Sequence, residues 1–398
     1  MKRILITGAN PYNANKGVSA LAYSTMCMID DILSTENIDY ELCIYNHEFR
    51  KTFDWIETPT KKIHFQNVYP SDMLSIKSFF NTLFSKWRLY NLREFLKSDI
   101  ILNITAGDSF SDIYGNANFF SQNQINRLAR LFSKKVLFLP QTYGPFLEKS
   151  MAEKAAIRSL RNAIGIMSRD KESTEYLEGL GFENIVDSID MAFYLPFKSQ
   201  YEKHTGIHVG INVSKTLWER CKEHNFELQI DYPMSIRHII GDLLKKGYKV
   251  HLISHVVDSR NVDDDEYSLA YNLWKEFHHK NLLISPFFFS PIEAKNYIAS
   301  MDIFIGSRMH ACIGAFSSNT PVLLLGYSRK FSGLFEKTLG YCYNVDLSKD
   351  WGSNYITDKI DEMIEKRTLI RQQIEDINKV IVRNKIKDLK SRLKIVLS

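Results

Sequence analysis

Short apolar runs alternate with amphipathic helical segments along the whole chain, and this alternation restricts the fold more than any other feature. In the first half, strand-like runs occupy residues 3–7, 41–46, 99–105 and 135–139, and a helical segment at residues 17–33 separates the first two. Strands separated by helices form βαβ units, in which the strands are parallel. The sequence therefore predicts an α/β fold built on a parallel sheet.

The same alternation begins again after a polar, proline-containing stretch at residues 195–205. The later strand-like runs are at residues 207–213, 248–254, 282–284, 301–306 and 321–326. A chain of 398 residues is too long for one core and suits two domains of roughly 150–200 residues each. We therefore predict two Rossmann-like domains that face each other across a cleft, at residues 1–200 and 201–398. The second domain is expected to end in a long, charged helical tail.

The segment 307–310, with the sequence Ser-Arg-Met-His, follows the strand-like run 301–306. Ligands of open α/β sheets bind at the carboxyl ends of the strands. Arg308 and His310 are two residues apart, so on an extended segment their side chains share a face, and the helix that follows offers N–H groups to an anion. Lys330, after the next run, brings a third cation to the same edge. This pattern predicts a carboxylate or phosphate site, with His310 available for proton transfer.

Structural alternatives exist for each of these cations. Arg308 could pair with a buried carboxylate, and His310 could be a hydrogen-bonded residue at a helix start. Arg169 also follows a strand-like run and is a further anion-binding candidate, but Asp170 or Glu172 could be its ion-pair partner.

Three further polar residues, Asn15, Asp108 and His255, follow other strand-like runs. Asp108 could accept a hydrogen bond from a sugar hydroxyl or cap a helix. The first run lacks a G-x-G-x-x-G fingerprint, so a nicotinamide or flavin cofactor is not expected. The acids at residues 263–265 could bind a metal, but adjacent carboxylates at a helix start explain them better, and no metal is predicted.

The composition argues against nucleic acid as a partner and leaves a membrane surface as one alternative. The net charge of +5 is mild for this length, so nucleic-acid binding is not expected. The five cysteines are scattered and are interpreted as reduced thiols, and we expect a cytoplasmic protein without a signal peptide.

The stretch from Ser75 to Lys97 mixes aromatic and basic residues. It could lie on a membrane surface as an amphipathic helix, or pack on the sheet.

Several of these segments together resemble the polysaccharide pyruvyl transferase family. They are QTYGP at residues 141–145, SRD at 168–170, GINVS at 210–214, SRMHA at 307–311 and YSRK at 327–330. The resemblance extends over most of the chain. It implies a GT-B-like fold and the transfer of enolpyruvate from phosphoenolpyruvate to hydroxyls of a glycan, which forms a ketal and releases phosphate.

The resemblance also implies roles for individual residues. Arg169, Arg308, Lys330 and Ser307 would bind the donor, and His310 would be the catalytic acid. The acceptor, which Asn15, Asp108 and His255 are expected to contact, would be a lipid-linked precursor of a bacterial capsule or exopolysaccharide. No metal or organic cofactor is expected. Two alternatives are a nucleotide-sugar glycosyltransferase of the same architecture and a non-catalytic protein that binds glycans or anions.

Overall fold

The computed structural model describes residues 1–46, 51–69, 85–198, 205–219, 228–258, 264–352 and 354–398. The chain divides into two compact units. Unit 1 comprises Met1–Asn13, Leu21–Leu195 and Lys385–Ser398, and unit 2 comprises Ala14–Ala20 and Pro196–Asn384.

Unit 1 has eight described strands and most of the helices of the first half. The elements from β1 to β8 are β1 (Lys2–Thr7), α1 (Lys16–Thr35), β2 (Tyr40–Tyr45), β3 (Phe53–Glu57), β4 (Lys62–Val68), α2 (Lys86–Leu96), β5 (Ile100–Asn103), α3 (Asn116–Leu131), β6 (Lys135–Gln141), α4 (Met151–Arg161), β7 (Gly165–Ser168), α5 (Lys171–Gly179) and β8 (Val186–Asp187). A short 3-10 helix, Met191–Tyr194, follows.

The strand order of unit 1 is β3-β4-β2-β1-β5-β6-β7-β8. All neighbouring strands are parallel except β3 and β4, which are antiparallel. Part of the core is a set of edge-to-face aromatic rings around Phe110, which contacts Phe119, Phe138 and Tyr143. Such pairs stabilise by about 0.5–1.5 kcal/mol beyond the burial of their area.

Unit 2 contains six described strands. Its elements are β9 (His208–Asn212), α6 (Lys215–Glu219), α7 (Tyr232–Lys245), β10 (Lys249–Leu252), α8 (Glu266–Phe277), β11 (Leu282–Ile284), α9 (Pro291–Ala299), β12 (Ile303–Gly306), α10 (Met309–Ser317), β13 (Val322–Gly326), α11 (Arg329–Phe331) and β14 (Asn344–Asp346). A π-helix, Ser332–Thr338, continues α11. The tail consists of α12 (Tyr355–Glu365), α13 (Arg367–Ile377), a second π-helix (Asn378–Val382) and α14 (Arg383–Leu397).

The strand order of unit 2 is β11-β10-β9-β12-β13-β14, and every neighbouring pair is parallel. The chain builds this sheet outward from β9 in one direction and then outward from β12 in the other. The point where the order reverses lies between β9 and β12. In doubly wound sheets, ligands bind in the crevice at this point, beyond the carboxyl ends of the strands.

The two units differ from a single division at residue 200 in two places. The first turn of α1 belongs to unit 2 because the Lys16 N–H donates to the His255 carbonyl (2.9 Å) and the Val257 N–H donates to the Ala14 carbonyl (3.1 Å). All of α14 except its first two residues belongs to unit 1, where Lys394 forms an ion pair with Glu36 (2.6 Å).

The described cysteines Cys27, Cys43, Cys312 and Cys342 are free thiols. In the described ranges, no helix combines the length and the apolar character that crossing a bilayer requires.

Candidate functional site

The ends of β9 and β12 are joined at the point where the strand order of unit 2 reverses. Asn212 ends β9 opposite Gly306. Its Oδ1 accepts a hydrogen bond from the backbone N–H of Arg308 (3.0 Å), and its Nδ2 donates to Glu266 (3.0 Å). Asn212 therefore holds the segment that carries Arg308 against the neighbouring strand.

The side chain of Arg308 is held by two carboxylates. Its Nε donates to Glu266 (2.6 Å) and its Nη2 donates to Asp264 (2.7 Å). The pairing of Arg308 with a buried carboxylate, which was the structural alternative for this residue, is thus present. Arg308 is nonetheless at the site, because these two bonds leave three of its five N–H groups for a ligand, and its side chain is 14% exposed.

Glu266 connects the β12 end to the loop after β10. Besides Arg308 and Asn212, it accepts the backbone N–H groups of His255 (2.8 Å) and Val256 (3.1 Å). Burial raises the pKa of Glu266, whereas Arg308 and the N–H groups lower it. All four partners donate and none accepts, so we assign Glu266 as a carboxylate.

His310 lies in the first turn of α10, which begins at Met309. The prediction that Arg308 and His310 share a face of an extended segment is therefore wrong, because β12 ends at Gly306 and His310 is already helical. The imidazole lies directly on Gly17. A Cβ added to Gly17 would be 2.5 Å from the His310 Nδ1 and 2.7 Å from its Cγ.

The segment around Gly17 is fixed to the loop after β10. Asn15 forms an antiparallel bridge with Val256, and the Asn15 Oδ1 accepts the N–H of Gly17 (2.9 Å). The Asn15 amide oxygen therefore has a structural partner at the start of α1. Asn15 is part of unit 2 together with His310 and Arg308.

Lys16 and His255 complete this group, and both are buried. Burial lowers the pKa of Lys16, while the charge of Glu293 raises it. Burial, followed by the charges of His310, Arg308 and Lys16, lowers the pKa of His255 to about 3. His255 is therefore a neutral imidazole at physiological pH. Its buried Nδ1 has no hydrogen-bond partner among the described residues.

Ser307 and Lys330 lie at the same edge of the sheet. The Ser307 hydroxyl is 2.7 Å from the Tyr232 hydroxyl, which accepts the N–H of Ser214 (3.0 Å). Ser307 is fully buried and links β12 to α7 through Tyr232. The Lys330 Nζ donates to the Tyr327 hydroxyl (3.4 Å) and lies 5.1 Å from the ring centroid.

Arg169 and Asp108 belong to unit 1. The Arg169 Nη1 donates to Asp190 (2.6 Å) and the Nε donates to Thr142 (2.8 Å). The side chain is 0% exposed, and the assignment of Arg169 to donor binding stays a prediction. Arg169 does form an ion pair, as the alternative prediction had it, but the carboxylate closest to it is that of Asp190. The Asp170 carboxylate is 4.0 Å from the Arg169 Nε. Opposing its burial, these carboxylates and Asp108 raise the pKa of Arg169.

Asp108 does not cap a helix, because α3 starts only at Asn116. Its carboxylate accepts a hydrogen bond from the Tyr114 hydroxyl (3.0 Å). The preceding residues Thr105, Ala106 and Gly107 all have positive φ. Positive φ in a β-branched residue such as Thr105 is a strained backbone conformation. Strained residues of this kind are found mainly in functional loops.

The acids at residues 263–265 have other roles where they are described. Asp264 pairs with Arg308, and Asp265 caps α8 by accepting the N–H of Ser268 (3.0 Å). Asp263 lies outside the described residues. Within the described ranges, no group of three or more His, Cys, Asp or Glu side chains could hold a metal ion.

Sequence analysis missed three residues of this site: Lys16, Glu266 and Tyr232. Lys16 is adjacent to Asn15, and Glu266 is adjacent to the acids at residues 263–265. The sequence analysis singled out both neighbours, so these two positions carried a usable signal. Tyr232 carried none, because its contact with Ser307 joins segments far apart in the chain.

Replacing Gly17 with alanine should displace the His310 ring. The added methyl group would overlap the imidazole, and overpacking of this kind costs about 1–3 kcal/mol. We expect Gly17→Ala to reduce turnover by at least about tenfold because the ring moves. Gly179→Ala in α5 is the matched control, since a Cβ there would have nothing within 4 Å. Equal turnover of the two variants would contradict the assigned position of His310.

The fold and the site define a class of protein. Each unit has a mostly parallel doubly wound sheet, and unit 2 carries cations and imidazoles at the point where its strand order reverses. Solved structures with a similar fold include UDP-GlcNAc 2-epimerase from Neisseria meningitidis bound to UDP-GlcNAc (TM-score 0.57, 11% identity, 99% of each chain covered). Another is the E. coli trehalose-6-phosphate enzyme structure with bound UDP-2-fluoro glucose (TM-score 0.55, 10% identity, 100% and 99% covered). The chain therefore has a GT-B-type α/β fold, as predicted.

Residues 15–329 match the family model described as polysaccharide pyruvyl transferase. The chain belongs to this family, and the family prediction is confirmed. A curated relative is the amylovoran biosynthesis protein AmsJ of Erwinia amylovora, which is 23% identical over 289 residues, 69% of this chain and 68% of the relative. The chain is thus a member of a transferase family of polysaccharide biosynthesis.

Proposed function

We propose that this protein transfers enolpyruvate from phosphoenolpyruvate to two hydroxyls of a glycan, forming a cyclic ketal. The observation that carries the proposal is the position of the His310 imidazole on Gly17, in one group with Lys16 and Arg308 at the reversal point of unit 2. The donor has one carboxylate and one phosphate. The arrangement offers cations for both and an acid for the methylene carbon.

In the proposed reaction, His310 protonates the methylene carbon of the donor, and positive charge develops at the carbon that bears the phosphate oxygen. One acceptor hydroxyl adds to this carbon and the bond to phosphate breaks. A second hydroxyl then adds and closes the ketal. Two hydroxyl protons are lost: one balances the proton delivered to carbon, and the other leaves on hydrogen phosphate. No oxidation or reduction occurs in these steps, so the balance is complete without an electron carrier.

Three cations of unit 2 take part in this proposal. Arg308 is oriented by Glu266 and Asp264 and uses its remaining N–H groups on the donor. Lys330 and Lys16 neutralise the departing phosphate. Arg169 belongs to unit 1 and forms a buried ion pair with Asp190, and its donor-binding role is not used in this proposal. The neutral His255 donates a hydrogen bond to a ligand and does not capture an anion.

The acceptor is proposed to be a lipid-linked unit of an exopolysaccharide or capsule. Its support is the family and the amylovoran biosynthesis relative. The assignment of Asp108 and Asn15 to acceptor binding stays a prediction.

Phosphate release from phosphoenolpyruvate tests the proposed reaction. The protein should release phosphate only when a suitable glycan is present, and mass spectrometry should show that the glycan gains pyruvate less one water. Transfer from a nucleotide sugar, with no release of phosphate from phosphoenolpyruvate, would instead identify a glycosyltransferase. Glycan binding without either reaction would identify a non-catalytic protein.

Lys16→Gln should weaken donor binding. The ammonium is buried, and a charge-assisted hydrogen bond of this kind contributes about 1.5–3 kcal/mol, which corresponds to roughly a 10–150-fold rise in the phosphoenolpyruvate Kd. Lys245→Gln, at an exposed position of unit 2, is the matched control and should bind the donor normally. A Kd for Lys16→Gln equal to that of the control would remove Lys16 from the donor site.

The membrane prediction concerns α2, since residues 70–84 lie outside the described structure. Trp87, Leu89 and Tyr90 are exposed on this helix beside Lys86 and Arg88. We expect the change of both Lys86 and Arg88 to Glu to reduce activity on acceptor in anionic vesicles and to spare a short soluble acceptor, because anionic lipid attracts each cation by about 1 kcal/mol. Lys154 and Arg158 on α4, changed in the same way, provide the control. Equal losses on both acceptors would show that α2 has no membrane role.

A further inference from the structure

A polar cavity lies in unit 2 at the carboxyl ends of β13 and β14. Its volume is about 330 Å³, and Gly326 and Asp346, the last residues of these strands, line it. Small-molecule sites span roughly 300–1,000 Å³, so this cavity suits a small ligand. None of the residues that line the cavity has a role in the proposed reaction. Lys330, which does have one, is adjacent in sequence to the lining residue Arg329.

The floor of the cavity is shaped by a glycine. A Cβ added to Gly326 would be 2.5 Å from the Asn344 Oδ1 and 3.2 Å from the Phe331 Cβ. Glycine therefore lets Asn344 approach the end of β13. The Asn344 Nδ2 donates to Glu336 (2.8 Å). Its Oδ1 is buried and has no hydrogen-bond partner in the described part of the chain, and the same holds for the Ser328 hydroxyl.

Buried polar atoms without partners are uncommon, because each costs about 1–3 kcal/mol. Both residues that carry these atoms, Asn344 and Ser328, line this one cavity. A ligand with both donors and acceptors would satisfy them. The Asn344 oxygen needs a donor, whereas the Ser328 hydroxyl can donate or accept.

The charges of the cavity favour a neutral ligand. Arg329 and Lys349 contribute two positive charges, and Glu336 and Asp346 contribute two negative charges. Lys349 and Asp346 already form an ion pair (3.5 Å). A phosphate dianion would meet two carboxylates here. A sugar hydroxyl, which both donates and accepts, gains from all of these groups.

The cavity is close to the site of the proposed reaction. β13 is the direct neighbour of β12, with Gly306 opposite Leu324. Neighbouring strands are about 4.8 Å apart, so the ends of β13 and β14 lie roughly one and two strand spacings from the end of β12. Tyr327 lines the cavity, and its phenol also contributes to raising the pKa of Arg308.

We propose that this cavity binds one sugar unit of the acceptor, adjacent in the glycan to the unit that receives the pyruvyl group. The acceptor role rests on the proposed function, whereas the binding of a sugar does not. The acceptor would then be selected partly by unit 2, and the residues at the end of β14 would distinguish one glycan from another.

Binding of saccharides to the full chain, without phosphoenolpyruvate, tests the proposal. The probes are free hexoses and a panel of glucose- and galactose-based di- and trisaccharides, measured by saturation-transfer NMR and calorimetry. Asn344→Ala should weaken binding of the best probe by about tenfold. Asn354→Ala is the matched control, since Asn354 is exposed and its side chain caps no helix. The control should bind within about twofold of the unchanged protein.

A second variant covers the case in which Asn344→Ala fails to fold. Ser348 is an exposed residue of the cavity wall, and Ser348→Trp should fill the cavity from its rim and abolish binding. Inorganic phosphate and UDP should not displace the saccharide. Displacement by either, binding that both variants retain, or no binding by any probe would overturn the proposal. Saccharide binding together with transfer from a nucleotide sugar, and no phosphate release from phosphoenolpyruvate with any glycan, would leave this site in place and refute the proposed reaction.

Discussion

His310→Ala should abolish transfer and leave phosphoenolpyruvate bound. Removal of a general acid costs roughly 10²–10⁴-fold in turnover. The donor's charges are held by Lys16, Arg308 and Lys330 in our proposal, so its Kd should stay within about tenfold of that of the unchanged protein. Single-turnover phosphate release and donor binding by calorimetry measure the two quantities separately.

His238→Ala is the control for this variant, because His238 is exposed on α7 in the same unit. It should behave as the unchanged protein does. If His310→Ala keeps near-normal turnover, another residue supplies the proton and the mechanism is wrong. If it loses donor binding as well, His310 acts mainly as a ligand for the donor.

Arg308→Ala should lower donor affinity, turnover and stability together. The lost contacts with the donor should cost at least about 2 kcal/mol. In addition, Glu266 is only 2% exposed, and removal of one partner from a buried ion pair typically costs about 3–5 kcal/mol in the free energy of unfolding. Chemical denaturation and donor calorimetry report these two effects.

The double variant Arg308→Ala with Glu266→Gln separates stability from binding. Glutamine removes the stranded charge, so the free energy of unfolding should recover in large part. Donor affinity should not recover, because the guanidinium is still missing. If affinity returns with stability, Arg308 serves only to neutralise Glu266, and the structural alternative for this residue is correct.

Strand ends could be predicted from the sequence because apolar runs followed by polar residues are a local pattern. This pattern placed His310, Arg308 and Lys330 at one edge, and the structure has them in unit 2. The order of strands could not be derived in the same way. Which carboxylate reaches which cation also depends on contacts between distant segments. For Arg169, the local sequence indicated Asp170 or Glu172, and the close partner is Asp190.

Lys16 is a second residue whose position depends on contacts between distant segments. Nothing near residue 16 in the sequence indicates that it lies in the unit of His255 and His310. Its place depends on hydrogen bonds between the start of α1 and the loop after β10. Only the fold brings these segments together, so the sequence could mark Lys16 as a neighbour of Asn15 but could not place it with His255 and His310.

The exchange of terminal segments between the units has a consequence for biosynthesis. The first turn of α1 is made among the earliest residues, yet its partners in unit 2 come from the second half of the chain. Unit 1 in turn includes Lys385–Ser398, which follow unit 2 in the chain. Domains that are contiguous in sequence can fold one after another during translation, but here unit 1 is not complete until all of unit 2 has been made. A fragment that starts at Pro196 would also lack the glycine on which His310 rests, and adding a peptide that contains residues 14–20 should be needed to restore it.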